Sequence, residues 1–154
     1  MRNKNTNKSD GFTIIEVLIV LAIAGLIMLI VFLAVPALQR NSRNTVIKSD
    51  AQALAGGFSE FSSNNDGINP ASIDQTGSKI VIGASTDAQS TAKVNGSTVV
   101  NETKAKPATF AAGQLWWNTG TACDGTASPR AVAVYYYVEV AGTPSGTPQC
   151  VDGK

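Results

Sequence analysis

Residues 11–38 read GFTIIEVLIVLAIAGLIMLIVFLAVPAL, and the one acid in that stretch, Glu16, governs the interpretation of everything after it. A carboxylate in an apolar helix costs roughly 2.5–3.5 kcal/mol at a bilayer centre and less near its edge, so it calls for a partner and a purpose. From Val17 to Val35 there is no charge and a single glycine, Gly25. As a helix that run spans roughly 28 Å, close to the hydrocarbon thickness of a membrane.

The flanks differ sharply from this run. Ahead of it lies a short polar leader with Arg2, Lys4 and Lys8 against Asp10. Basic residues beside an apolar segment hold that side in the cytoplasm, which sends the chain beyond Val35 outward. The whole chain has 12 Lys+Arg and 11 Asp+Glu, a net charge of +1; without residues 1–11 the balance is 9 to 10. Neither sign favours nucleic acid or an acidic substrate as the default partner.

Beyond Pro36 the pattern turns amphipathic. Ile47, Ala51, Leu54, Phe58 and Phe61 recur at spacings of four and three, which predicts a helix with one buried stripe over 39–63. Asn64-Asn65-Asp66-Gly67 followed by Pro70 should end it. Pro36 lacks the N–H that a helix ladder needs, so it is expected to kink or locally break one long helix rather than separate two domains. The Gly56-Gly57 pair is a second weak point or a place of close packing.

Past Pro70 the period changes. Segments 79–82, 97–100 and 131–140 are rich in β-branched and aromatic residues and bounded by turn formers, so they read as strands, with a weaker candidate over 109–117. Asn95-Gly96 offers the turn of a tight hairpin. The expected fold is α+β: a long N-terminal helix, apolar in its first half and amphipathic in its second, packed on a small, mostly antiparallel sheet within 79–140. Cys123 and Cys150 are the only cysteines. In an exported domain such a pair favours a disulfide, closing a region over 123–150, against two thiols held apart.

Catalysis finds little support. The chain has no histidine, which removes the usual general base and the commonest metal ligand, and its acids are scattered singly. No catalytic, cofactor or metal site is expected; Asn64-Asn65-Asp66-Gly67 lacks the acids of a calcium loop and reads as a turn. Trp116-Trp117 and Tyr135-Tyr136-Tyr137 could form a stacking surface for a sugar or DNA, although alternation puts Tyr136 opposite Tyr135 and Tyr137.

The stretch from Gly11 to Ile30 resembles the N-terminal signature of type IV pilins and their relatives, the type II secretion pseudopilins and competence pilins. In that family a basic leader (here 1–11) ends in glycine, and a prepilin peptidase cuts after it. The exposed residue is N-methylated, and a glutamate lies four positions further on. Gly11, Phe12 and Glu16 match those positions. The resemblance implies an apolar helix over 12–38 that is first a single-pass anchor in the cytoplasmic membrane and then the core of an extracellular filament, with a head domain over 39–154. It implies as partners other copies of the chain, the prepilin peptidase and methyltransferase, and a pilus assembly platform. Gly25 falls at the family's glycine, where filaments commonly melt toward a proline. The family's proline position is Leu33 here, and Pro36 stands three residues later.

On this reading Glu16 meets the Phe12 amine of a neighbouring subunit and fixes axial register, as one buried polar residue does in a coiled coil. It would have no partner before the cut. The implied function is a structural pilus subunit, the major pilin, serving adhesion, twitching motility or DNA uptake, possible surface ligands being a sugar or DNA. The alternatives are a secretion pseudopilin and a minor tip pilin acting as a binding module. A secretory signal peptide cut near Val35-Pro36-Ala37 or a plain anchor would also explain an apolar run, but neither calls for Gly-Phe before Glu16.

Overall fold

The computed structural model describes residues 11–108, 111–141 and 143–153. The chain divides into two compact units at the junction of Leu38 and Gln39. Helix α1, Ile14–Asn64, contributes to both and is continuous across Gly25 and Pro36. In the first unit its apolar side chains stand exposed, from Ile14 through Leu33 to Leu38.

In the second unit the stripe read from the sequence is the core. Ile47, Ala51, Leu54, Phe58 and Phe61 are each 5% exposed or less. The helix stops where turn residues begin: the Gly67 N–H donates to the Ser62 carbonyl at 2.7 Å, the long bond of a Schellman cap. Asp66 takes the left-handed conformation there, at φ 54°, which an aspartate tolerates better than most residues.

Two sheets cover the helix where one was expected. Strands β1 (Ile73–Thr76), β2 (Lys79–Ile82) and β3 (Ser90–Lys93) form an antiparallel sheet in that order. Strands β4 (Val99–Glu102), β5 (Gln114–Thr121), β6 (Ala127–Val140) and β7 (Thr143–Gly153) form the second. Its β4 and β5 run parallel, and its other pairs antiparallel. The weak candidate over 109–117 thus begins later, at Gln114, and its residues 109 and 110 lie outside the described residues. The β1–β2 hairpin closes on Gly77-Ser78, with Gly77 at φ 61°, a two-residue turn that a glycine in first position favours.

Asn95-Gly96 does form a turn, but the strands on either side do not pair: β3 belongs to one sheet and β4 to the other. Helix α1 holds this link. The buried Asp50 carboxylate accepts the Asn95 N–H at 3.0 and 3.1 Å and the Thr98 hydroxyl at 2.5 Å. Gln75 of β1 also spans the two sheets, donating to the Thr98 carbonyl and accepting the Val100 N–H. Polar bonds therefore fix a junction that hydrophobic burial, being non-directional, would leave loose.

Each sheet meets the helix at a definite residue. Phe58 packs on Trp117 of β5, ring centroids 5.1 Å apart and tilted by 32°. Gly57 lies against β2 and β3, where an added Cβ would come within 2.6 Å of Ile82 Cδ1 and 3.2 Å of Ala92 Cβ. Its carbonyl accepts the Ser90 hydroxyl at 2.6 Å. Around Gly56, by contrast, an added Cβ would meet nothing within 4 Å.

Arg43 and Asn44 clamp α1 to the end of β6. The guanidinium makes two 2.7 Å bonds to the Glu139 carboxylate, while Asn44 bonds the Glu139 backbone N–H and carbonyl at 2.8 and 2.9 Å. The Arg43 hydrogen bonds hold the Glu139 carboxyl below its ordinary range, and Arg40 adds to the effect. Elsewhere Cys123 and Cys150 form a disulfide, their Cα atoms 5.7 Å apart, which ties the β5–β6 turn to β7. In the chain-entropy account, closing such a loop is worth about 3.5 kcal/mol.

Two predictions follow from these contacts. Alanine should act with opposite sign at adjacent glycines: Gly57→Ala overpacks the sheet contact and destabilises by about 1–3 kcal/mol, whereas Gly56→Ala stabilises by up to ~1 kcal/mol. Urea melts of the two variants check this, and equal shifts would contradict the packing described. Because the folded pKa of Glu139 is lowered, the clamp's contribution is complete above the unfolded carboxylate range and is lost as pH falls through the folded value. Glu139→Gln should lower the melting temperature at neutral pH and flatten its decline in acid.

Candidate assembly site at the head of the apolar helix

Gly11, Phe12 and Thr13 precede α1 in non-helical backbone. Thr13 occupies the cap position, and Glu16 is the third helical residue, so Thr-Ile-Ile-Glu meets the spacing of a capping box. The bonds are present and reciprocal. The Thr13 hydroxyl accepts the Glu16 N–H at 3.3 Å, and Glu16 Oε2 accepts the Thr13 N–H at 2.9 Å and the Thr13 hydroxyl at 2.8 Å.

Glu16 therefore has a partner in the single chain, which corrects the expectation that it has none before a cut. Two of the four N–H groups that a helix start leaves open belong to residues satisfied in this box. The carboxylate also sits at the positive end of the helix dipole. The motif was visible in the sequence as Thr13-x-x-Glu16. The acid's cost in lipid and its ordinary role at a helix start are compatible, because the capping bonds satisfy the carboxylate locally.

Around this head the surface is apolar. Phe12 is 86% exposed, and large aliphatic side chains continue on every side of α1 through Leu33. Among the described residues α1 is the helix long and apolar enough to cross a membrane, and none of that window is buried. Among the described residues an added Cβ at Gly11 would meet nothing within 4 Å. Gly25 has no such neighbour either, and Pro36 has no N–H for the Phe32 carbonyl; both stay helical in the single chain.

The tyrosine stacking surface is overturned. Tyr135, Tyr136 and Tyr137 are all buried, at 4%, 5% and 6% exposure, and Trp117 is in the core. Tyr136 faces the helix, as alternation requires, but the opposite face is covered too. The parallel β4–β5 pairing demands a crossover, and residues of that connection line cavities with Tyr135 and Tyr137.

The capping box yields a prediction of its own. Thr13→Val keeps the side-chain shape, removes the cap, and should cost the helix head about 0.5–2 kcal/mol. Hydrogen exchange of the full chain in detergent should then show faster exchange confined to the first turn of α1; unchanged rates there would contradict the cap.

A family model described as the prokaryotic N-terminal methylation motif matches residues 6–32. Neither the search of curated proteins nor that of solved structures returns a match. The matched stretch contains Gly11, Phe12, the capping box and most of the apolar run. Such a signal implies processing by a prepilin peptidase, and with the apolar helix it fits a membrane-anchored precursor. Residues 6–32 are thus similar to the N-terminal methylation signal of type IV pilins and pseudopilins.

Proposed function

We propose that this chain is the structural subunit of a type IV pilus filament, acting as major pilin and doing no chemistry itself. Leader removal after Gly11 and methylation of Phe12 prepare it. An assembly platform then extracts it from the cytoplasmic membrane and adds it to a filament outside the cell, where it serves adhesion, twitching motility or DNA uptake. The observation that carries this reading is the fully exposed apolar helix beginning beside one acid. Lipid and identical helices favour the same side chains, so one sequence suits both the stored and the assembled state.

Glu16 acts in both states. Before the cut it caps its own helix through Thr13. After it, the new Phe12 amine of a neighbour provides a cation, and a buried unpaired charge would cost several kcal/mol. That pairing selects one axial register among those that a smooth apolar helix permits. The proposal also assigns Gly25 and Pro36 as the points where α1 kinks or melts on entering the filament, since each weakens the ladder without blocking it.

Shearing of wild-type and Glu16→Ala cells tests the reading. The wild-type sheared fraction should consist mainly of this chain, and the variant should accumulate in the membrane without filaments. Normal filaments from Glu16→Ala would refute the register role. Absence of the chain from wild-type filaments would turn the reading toward a pseudopilin or a minor tip pilin.

A further inference from the structure

Asn95-Gly96 is the one Asn-Gly pair in the chain, and it lies in the turn that joins the two sheets. A glycine after an asparagine leaves the main-chain nitrogen unshielded by any Cβ, so that nitrogen can attack the side-chain amide. Asn95, Gly96 and Ser97 are all exposed, and an added Cβ at Gly96 would meet nothing within 4 Å. Water therefore reaches both reacting groups.

The hydrogen bonds of the turn also suit that attack. Asn95 Oδ1 accepts the Ser97 N–H at 3.1 Å and the Ser97 hydroxyl at 2.8 Å, two donors placed where negative charge develops as a nucleophile adds to Cγ. Neither the attacking nor the leaving nitrogen is held: among the described residues the Gly96 N–H and Asn95 Nδ2 donate no hydrogen bond. Comparable groups elsewhere are committed. The Gly67 and Gly125 N–H groups, each following an aspartate, donate to the Ser62 and Ala122 carbonyls at 2.7 and 2.9 Å, and Asn65 Nδ2 donates to the Phe61 and Ala88 carbonyls.

We propose that Asn95 is a site of spontaneous deamidation whose product releases the link between the two sheets. The Gly96 nitrogen gives up its proton and bonds to Asn95 Cγ, and the Cγ–Nδ2 bond breaks as ammonia leaves with that proton. Water then opens the cyclic imide on either side of its nitrogen, with no oxidant or reductant needed. Opening at Cγ leaves an aspartate. Opening at the main-chain carbonyl leaves an isoaspartate, in which the chain runs through Cγ, is one atom longer, and carries the former carbonyl as a carboxylate. In the unreacted chain that carbonyl accepts the Thr98 N–H at 2.9 Å, while Asp50 holds both the Asn95 N–H and the Thr98 hydroxyl. A lengthened chain does not fit between two anchors on one carboxylate, and its new charge lies beside the buried Asp50. The site does not rest on the filament reading, because every residue in it belongs to the second unit.

The full chain in detergent micelles, aged in neutral buffer and then digested with trypsin, tests the proposal. Cleavage after Lys93 and Lys104 releases one peptide that carries both Asn95 and Asn101, so Asn101 is a control within it. Mass spectrometry should show a gain of about 1 Da that fragmentation places at position 95, as aspartate and isoaspartate. A synthetic peptide of residues 94–104 gives the rate without the fold, and the folded chain should convert at least as fast. Ser97→Ala removes one donor to Oδ1 and should slow conversion by about three- to tenfold, less than such a donor is worth in a dry active site. In the isoaspartate population, hydrogen exchange over 94–99 should be faster than before ageing. Four results would overturn the proposal: no conversion at position 95, a folded chain reacting at under about a tenth of the peptide's rate, an unchanged rate in Ser97→Ala, or unchanged exchange over 94–99 in the isoaspartate form.

Discussion

The structure depends on one unbalanced surface: 18 large apolar side chains between Ile14 and Leu38 stand exposed on a single helix. If covering the exposed part of each is worth about 1 kcal/mol, the sum is on the order of 20 kcal/mol. That exceeds the roughly 5–15 kcal/mol net stability of a whole domain. The second unit has its own core, filled by Ile47, Leu54, Phe58 and Trp117. The helix therefore needs an apolar surrounding at all times, and lipid or like helices are the two that suit an uncharged run of this length.

A surface so uniform specifies nothing about position along its axis, and here polar groups take over. Thr13 and Glu16 mark where the helix begins and hold an acid at its positive end without calling on a second chain. The same division of labour recurs in the second unit. Phe58 and Trp117 provide burial, while Asp50, Gln75 and the Arg43–Glu139 clamp decide which strand sits where. Burial gives affinity between elements, and hydrogen bonds give register.

What could be read from the sequence follows the range of the interaction involved. The buried stripe from Ile47 to Phe61 is a local period, and every one of its five residues is in the core. The strand around Tyr135 was equally legible from its composition. The division into two sheets was not, because strand pairing is non-local: Asn95-Gly96 encodes a turn but says nothing about whether the strands it joins will pair. Gly77-Ser78 encodes a turn in the same way, and there the flanking strands do pair. The burial of Tyr135 and Tyr137 is non-local as well: Gly146 of β7 lies against the Tyr137 ring and the β4–β5 connection shares a cavity with Tyr135, contacts that no periodicity in β6 reveals. At the helix head the identities of Gly11, Phe12 and Glu16 were plain, whereas the bond between Thr13 and Glu16 lay hidden behind the larger question of an acid in lipid.

The central claim is that the apolar helix is delivered to its second surrounding with a new amine at its head, next to Glu16. Mass spectrometry of the N-terminal peptide, taken from this chain as it occurs in sheared surface filaments, tests that directly. The account predicts a chain starting at Phe12 and carrying one methyl group on its amine. A chain that starts at Met1, or after Ala37, would contradict it.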